Sequence, residues 1–205
     1  MSTVRLALIL LLAAVVGACA TPTEVTSGWH AKVEPKPHFQ RLFVIALLND
    51  RDARVAVENA LGKALQERGV QAILAHRELG AVADGEDLRV RSEAAVRASG
   101  ADGVLVASFL RADVRADYVP GHLARGGGFG SSVGASYNTI YQPGYYVENH
   151  DYYLQSTLYQ VGRDAAVWQA QSRLVNPTGL QKAARGFAND LVARLRDDGA
   201  LAKQR

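Results

Sequence analysis

Residues 41–50 read Arg41-Leu-Phe-Val-Ile-Ala-Leu-Leu-Asn-Asp50, with an unbroken apolar run from Leu42 to Leu48. A strand with one face in water alternates apolar and polar residues. A continuous run instead suits a strand buried on both faces, as in parallel sheets flanked by helices. Asn49 or Asp50 then serves as N-cap, because a short polar side chain accepts from the free amides of a first helical turn. Val57, Leu61, Ala64 and Leu65 follow at i, i+4, i+7 and i+8 and form one stripe of a helix. Gly69 closes that helix as a residue free to turn left-handed.

The same unit then repeats. Residues 70–76 (VQAILAH) read as a second strand, Asp87 caps a helix carrying Leu88, Ala95 and Val96, and Gly100 closes it. Residues 103–110 (GVLVASFL) are a third apolar strand. Two strand–helix–glycine–strand units in a row predict a parallel βαβαβ core. Further on, the period changes to two. Tyr152, Leu154, Ser156 and Leu158 alternate with other residues, Gly-Arg-Asp makes a turn, and Ala166, Trp168, Ala170 and Leu174 share a face. This is an antiparallel hairpin with one covered side. Pro177 and Thr178 open a last helix whose stripe is Leu180, Ala184, Phe187, Leu191 and Leu195, and Gly199 stops it. The predicted class is α/β with a mixed sheet: a βαβαβ core, a hairpin and a C-terminal helix, in one domain over residues 41–200.

Upstream of this domain lies a different kind of sequence. Arg5 is followed by an apolar run from Leu6 to Val16 and by small residues Gly17 and Ala18. That is the layout of a secretory signal peptide, and the run is too short for a membrane span of about 20 residues. Val16-Gly17-Ala18-Cys19 resembles the lipobox of bacterial lipoproteins, and Cys19 is the only cysteine in 205 residues. The resemblance implies a signal peptide over 1–18 and a mature Cys19 carrying a diacylglyceryl group and an N-acyl, palmitate-type chain. More than one chain gives stable membrane anchoring. Ala20 stands where an aspartate would signal inner-membrane retention. The implied location is therefore the periplasmic face of a Gram-negative outer membrane, or the surface of a Gram-positive cell. Residues 19–40 hold three of the six prolines and show no period, which reads as a lipidated tether that stands the domain off the bilayer.

The order of elements, the anchor and the hairpin sequence LYQVGRDAAVWQAQ resemble periplasmic lipoproteins with an N-terminal-TolB-like domain. That group includes the curli secretion channel lipoprotein and the lipoprotein activators of penicillin-binding proteins. The stretches ADYVPGHL and PGYYVENHDYY are similar to those of small proteobacterial lipoproteins with a tyrosine-rich loop. The resemblance spans residues 40–200 and implies an envelope role, but it carries over no catalytic residue, and a shared fold does not transfer function.

All eight tyrosines fall between positions 118 and 159, and seven of the nineteen glycines between 121 and 144. A Gly/Tyr-rich insertion over 118–146 thus interrupts the domain, and connections of that length are functional or disordered more often than not. Three readings stand. The first is a surface loop or a long hairpin extending its neighbouring strands. The second is a partner-binding surface, since tyrosine offers large contact area at low entropic cost. Its candidate residues are Tyr118, Phe129, Tyr145, Tyr146, Tyr152 and Tyr153. The third is a membrane-inserting hairpin, with Val133, Ala135, Tyr137, Thr139 and Tyr141 on one side.

Enzymatic and metal signals are weak. The five histidines (His30, His38, His76, His122 and His150) form neither an HxxxH nor an HExxH pair, and no second cysteine exists for a thiolate site. His150-Asp151 reads as an exposed strand edge before it reads as a metal or acid–base pair. Asp50, Asp52 and Glu58 read as carboxylates favoured by a helix start. Residues 126–132 (GGGFGSS) have no lysine and no following helix, so they are not a phosphate loop. Ser131 and Ser132 lack a GxSxG setting. The whole-chain charge of +3 falls to about +2 without Arg5 (22 basic against 20 acidic), and its signs are interspersed. That excludes a nucleic-acid footprint. The sequence therefore predicts an outer-membrane lipoprotein acting as a non-enzymatic binding or assembly module, without cofactor or metal, whose partners are the membrane and an envelope protein. The alternative is a subunit of an oligomeric secretion or channel complex that inserts the Gly/Tyr-rich hairpin.

Overall fold

The computed structural model describes residues 23–30, 33–80, 86–125, 139–163 and 165–202. Cys19 and Phe129 lie outside these residues, as does most of the stretch read as a membrane hairpin. The strands are β1 (Thr23–Trp29), β2 (Arg41–Leu47), β3 (Gln71–Leu74), β4 (Gly103–Val119), β5 (His122–Arg125), β6 (Thr139–Gln142), β7 (Tyr145–Gln160) and β8 (Ala166–Val175). The helices are α1 (Arg51–Gln66), α2 (Ala75–Leu79), α3 (Glu86–Ser99) and α4 (Leu180–Asp197).

A six-stranded mixed sheet runs in the order β1-β8-β7-β4-β2-β3. β2 is parallel to both β3 and β4, and the other pairings are antiparallel. The α/β class is as the sequence predicts, and the physical reason is visible in β2. Leu42, Val44 and Ala46 pack into the core shared with α1 and α4, whereas Phe43 and Ile45 pack with Ala75, Leu79 and Ala101 on the other face. Each such side chain contributes about 1.5–3 kcal/mol by leaving water, so an all-apolar strand is stable only in this central place. Asp50 is the N-cap of α1 and accepts from the Ala53 amide at 2.7 Å. Gly69, past the end of α1, has φ +76°, a backbone state open to glycine at little cost.

Four local expectations need correction. The second strand stops at Leu74, and His76 already lies in α2. Asp87 does not precede its helix, because α3 already includes Glu86. In α4, Ala184, Phe187, Leu191 and Leu195 are buried as expected, but Leu180 is 42% exposed. The largest correction concerns the tether. Residues 23–29 form β1, paired along its whole length with β8 from Thr23↔Leu174 to Trp29↔Trp168. Val33 and Phe39 are buried in the core, and Phe39 bonds to the backbone of Ala200 and Ala202. Thr23–Trp29 therefore belongs to the sheet.

Beyond its pairing with β8, β1 is held by one residue. Asp198, at the end of α4, accepts from Trp168 Nε1 at 2.8 Å and from Ser27 Oγ at 2.5 Å, and its carbonyl accepts from Trp29 Nε1 at 2.9 Å. Arg194 donates to the same Ser27 hydroxyl at 2.6 Å. Both tryptophans of the chain thus report on this junction.

Candidate functional site

β4 and β7 outrun the sheet. β2 accompanies β4 only to Ser108, and β8 accompanies β7 only to Asp151. Beyond that point Val114–Val119 and Tyr145–His150 pair with each other, and Asn176, just past β8, still bonds His150 and Asn149 at the root. These six residue pairs make a two-stranded arm about 20 Å long at ~3.4 Å per residue. The described part of the Gly/Tyr-rich insertion is thus a hairpin extending its neighbours, followed by the short β5–β6 pair. A bulge between Phe109 and Arg111 leaves Leu110 as the extra residue where the arm departs.

The arm has two unlike faces, because partners directly opposite one another in an antiparallel pair share a side. One face carries Arg111, Asp113, Arg115, Asp117 and Val119 from β4 with Tyr145, Val147, Asn149, Asp151 and Tyr153 from β7. It is closed on itself by polar contacts. Arg111 bonds Asp113 at 2.9 Å and lies 4.1 Å from the Tyr153 ring centroid. Asn149 donates to Asp117 at 2.6 Å. Asp151 has no exposed surface, and its Oδ2 accepts from Arg115 at 3.0 Å and Arg173 at 2.9 Å, with Glu24 on the far side of Arg173. Hydrogen bonding to Asp113 holds the Arg111 guanidinium above its ordinary pKa, and Asp151 does the same for Arg173. Asp151 is thus a buried keystone and not the exposed strand edge its sequence context suggests. His150 points to the opposite side, so the two cannot act as one dyad.

The other face carries Ala112, Val114, Ala116 and Tyr118 with Tyr146, Glu148, His150 and Tyr152. The Tyr118 and Tyr146 rings meet at 5.1 Å between centroids, inclined by 51°. Gly144 makes room for this arrangement, since a methyl group there would collide with the Tyr118 ring. Tyr146 is 72% exposed, Val114 61% and Tyr118 57%. At the arm's root this face runs into an apolar groove of about 480 Å³, lined by Leu48, Phe109, Tyr152, Leu174, Leu180 and Phe187 among others.

The candidate tyrosines therefore do not form one patch. Tyr118, Tyr146 and Tyr152 share the apolar face, while Tyr145 and Tyr153 stand on the ionic one. The arginine–aspartate pairs escaped the sequence reading. Their signal was the doubled Arg-Ala-Asp at 111–113 and 115–117, a period-two alternation of charged and small or apolar residues that marks a two-faced strand.

The other polar cluster is at the carboxyl end of β2. Glu58, nearly inaccessible, accepts from the Ala46 amide at 3.0 Å and from both the amide and Nδ1 of His76 at 2.7 Å. Glu58 is thus not a helix-start carboxylate. It closes the β2–β3 ladder where β3 turns into α2, beside a cavity of about 160 Å³ that Arg51 and Arg54 also line. Among the described residues, no three His, Cys, Asp or Glu side chains converge as a metal site, and no helix is long and apolar enough to cross a membrane.

No family model and no curated protein matches the sequence. Among solved structures the chain is similar to the PelC dodecamer of Paraburkholderia phytofirmans, with 13% identity over 89% of this chain and 100% of that one, at a TM-score of 0.46. A variant PelC dodecamer from the same organism gives 15% identity over the same shares and a TM-score of 0.44. A PDZ domain protein from Parabacteroides distasonis is similar over 86% of this chain and 37% of its own, with 9% identity and a TM-score of 0.34.

Proposed function

We propose that this protein is an outer-membrane lipoprotein, anchored through Cys19 at the periplasmic face, that acts as a non-enzymatic binding or assembly module of the envelope. The observation that carries the reading is the arm, a paired ribbon projecting from a well-packed sheet, one face of which exposes Val114, Tyr118 and Tyr146 among the described residues. Exposed contiguous apolar surface on a soluble domain marks an interaction site, and paired aromatic rings supply contact area with little side-chain entropy to lose. The lipid would raise the local concentration of that surface for any membrane-bound partner.

The test is photo-crosslinking in growing cells from positions 118 and 146 on the apolar face, 145 and 153 on the ionic face, and 163 at the far end of the domain. The reading expects adducts with envelope components from the arm, lost when Cys19→Ser releases the anchor. Adducts from position 163 with none from the arm would place the contact surface elsewhere. Replacing residues 120–144 with an Asn-Gly turn, which suits a two-residue hairpin between Val119 and Tyr145, should leave the domain folded. Unfolding would make the insertion structural.

A further inference from the structure

We propose that the cavity at the carboxyl end of β2 binds a phosphate group, held by Arg51, Arg54 and the Nε2 atom of His76. The inference goes beyond the envelope role and depends on neither the arm nor the anchor. Its place comes from the topology. β2 passes into α1, which packs on the face of the sheet holding Leu42, Val44 and Ala46. β3 passes into α2, whose Ala75 and Leu79 pack on the opposite face with Phe43 and Ile45. Two neighbouring parallel strands thus send their chains to opposite sides, which opens a crevice at their carboxyl ends. In open α/β sheets, ligands bind in such a crevice. Here it is a cavity of about 160 Å³ between the end of β2, α1 and α2. At ~30 Å³ per water that is room for about five waters, a volume that takes a phosphate group and leaves any substituent outside.

The lining is cationic. Arg51 and Arg54 stand within the first four residues of α1 and both border the cavity. A helix start favours acids, because its free amides carry positive partial charge, so helix stability does not account for two arginines there. Arg51 is exposed and has no hydrogen-bond or ion-pair partner among the described residues. Charges that break a local rule without a local gain mark functional sites.

The acid of the lining is already engaged. Glu58 has Oε1 on the Ala46 amide and Oε2 on both the amide and Nδ1 of His76. A carboxylate with two amide donors takes a proton-bearing nitrogen as its third partner, so Nδ1 carries the proton. This fixes the imidazole and leaves Nε2, without a partner among the described residues, as its ligand-binding atom.

Phosphate fits this set better than a carboxylate does. Guanidinium forks pair bidentately with either group, but two forks and an imidazole call for more than two acceptor oxygens. Nε2 donates to a phosphate oxygen when the ring is charged and accepts from a P–OH when it is neutral. A phosphate monoester carries about −1.5 to −2 at neutral pH, which matches the two guanidinium charges.

The test titrates the full chain, in dodecylmaltoside micelles and phosphate-free buffer, with inorganic phosphate. Nuclear magnetic resonance follows the arginine Nε–H groups and the His76 ring. Arg51 and His76 signals should move in one saturable step while Arg185, exposed on α4, does not respond. Arg51→Gln and Arg54→Gln should each weaken the affinity about tenfold or more, as the loss of a charge-assisted bond implies. Arg185→Gln should leave it unchanged. Arg51 is exposed, so its variant keeps the fold and decides alone where Arg54→Gln does not fold. Shifts that never saturate, or an equal loss in Arg185→Gln, overturn the inference, because they report general charge attraction. Glycerol phosphate and glycerophosphoethanolamine, used as competitors, separate the sources of the group. Displacement by the monoester alone supports a soluble phosphate compound, and displacement by the diester as well supports a lipid headgroup.

Discussion

Trp29 and Trp168 stand opposite one another across the β1–β8 ladder, and both indole N–H groups donate to Asp198, one to its carbonyl and one to its carboxylate. β1 is thereby fastened to the end of α4. Asp198→Ala removes the carboxylate and leaves the Trp168 indole and the Ser27 hydroxyl without it. Losing charge-assisted bonds to partly buried donors costs about 2–4 kcal/mol. Urea denaturation followed by tryptophan fluorescence should show that loss, with the amides of β1 exchanging first. Asp198→Asn, which keeps an acceptor, should lose less.

Asp151 makes an unequal pair of predictions with its arginines. Asp151→Ala removes the buried anion that Arg115 and Arg173 share, and breaking a buried pair from one side costs about 3–5 kcal/mol. Arg115 is half exposed, so Arg115→Ala should cost about 1 kcal/mol or less. Thermal melts of the two variants side by side decide this. Equal losses would mean that Asp151 is held mainly by Arg115.

Ser172 is fully buried, and its hydroxyl has no hydrogen-bond partner among the described residues. A buried hydroxyl left unpaired carries a desolvation penalty of about 1–3 kcal/mol. Ser172→Ala should therefore be neutral or stabilising by about 1 kcal/mol, read as a shift in the urea midpoint at constant slope. A clear loss would mean that the hydroxyl is paired.

Asp190, on α4 beside Thr23 of β1, titrates above its ordinary value of 3.8 because partial burial disfavours its charge, which a hydrogen bond from Thr23 offsets in part. A raised carboxyl binds its proton more tightly in the folded state than in the unfolded one. Its contribution is thus present at low pH and is lost as pH rises from 3.8 through the folded pKa. Asp190→Asn should match the parent below that window and exceed it above. Stability curves between pH 3 and 7, as a rough range around that window, should cross in that order. A variant weaker at neutral pH would show that the Thr23 bond outweighs burial.

What the sequence determined by itself was whatever one short segment could encode. The run from Leu42 to Leu48 demands cover on both faces, the stripes of α1 and α4 demand a sheet beneath them, and Asp50 caps the helix that follows it. Those features rest on neighbours within a turn or a few residues, so their periods survive on the page. The clustering of tyrosines likewise singled out the segment that holds the β4–β7 arm. Tertiary structure alone decided the rest. Thr23–Trp29 reads as aperiodic because threonine and serine occupy two of its inward positions, and its partners, β8 and Asp198, lie 139 or more residues away. Asp151 looks like a surface carboxylate until Arg115 and Arg173 arrive from two other strands. The sorting of tyrosines onto two faces depends on the pairing register of β4 with β7, which a single-residue slip would invert.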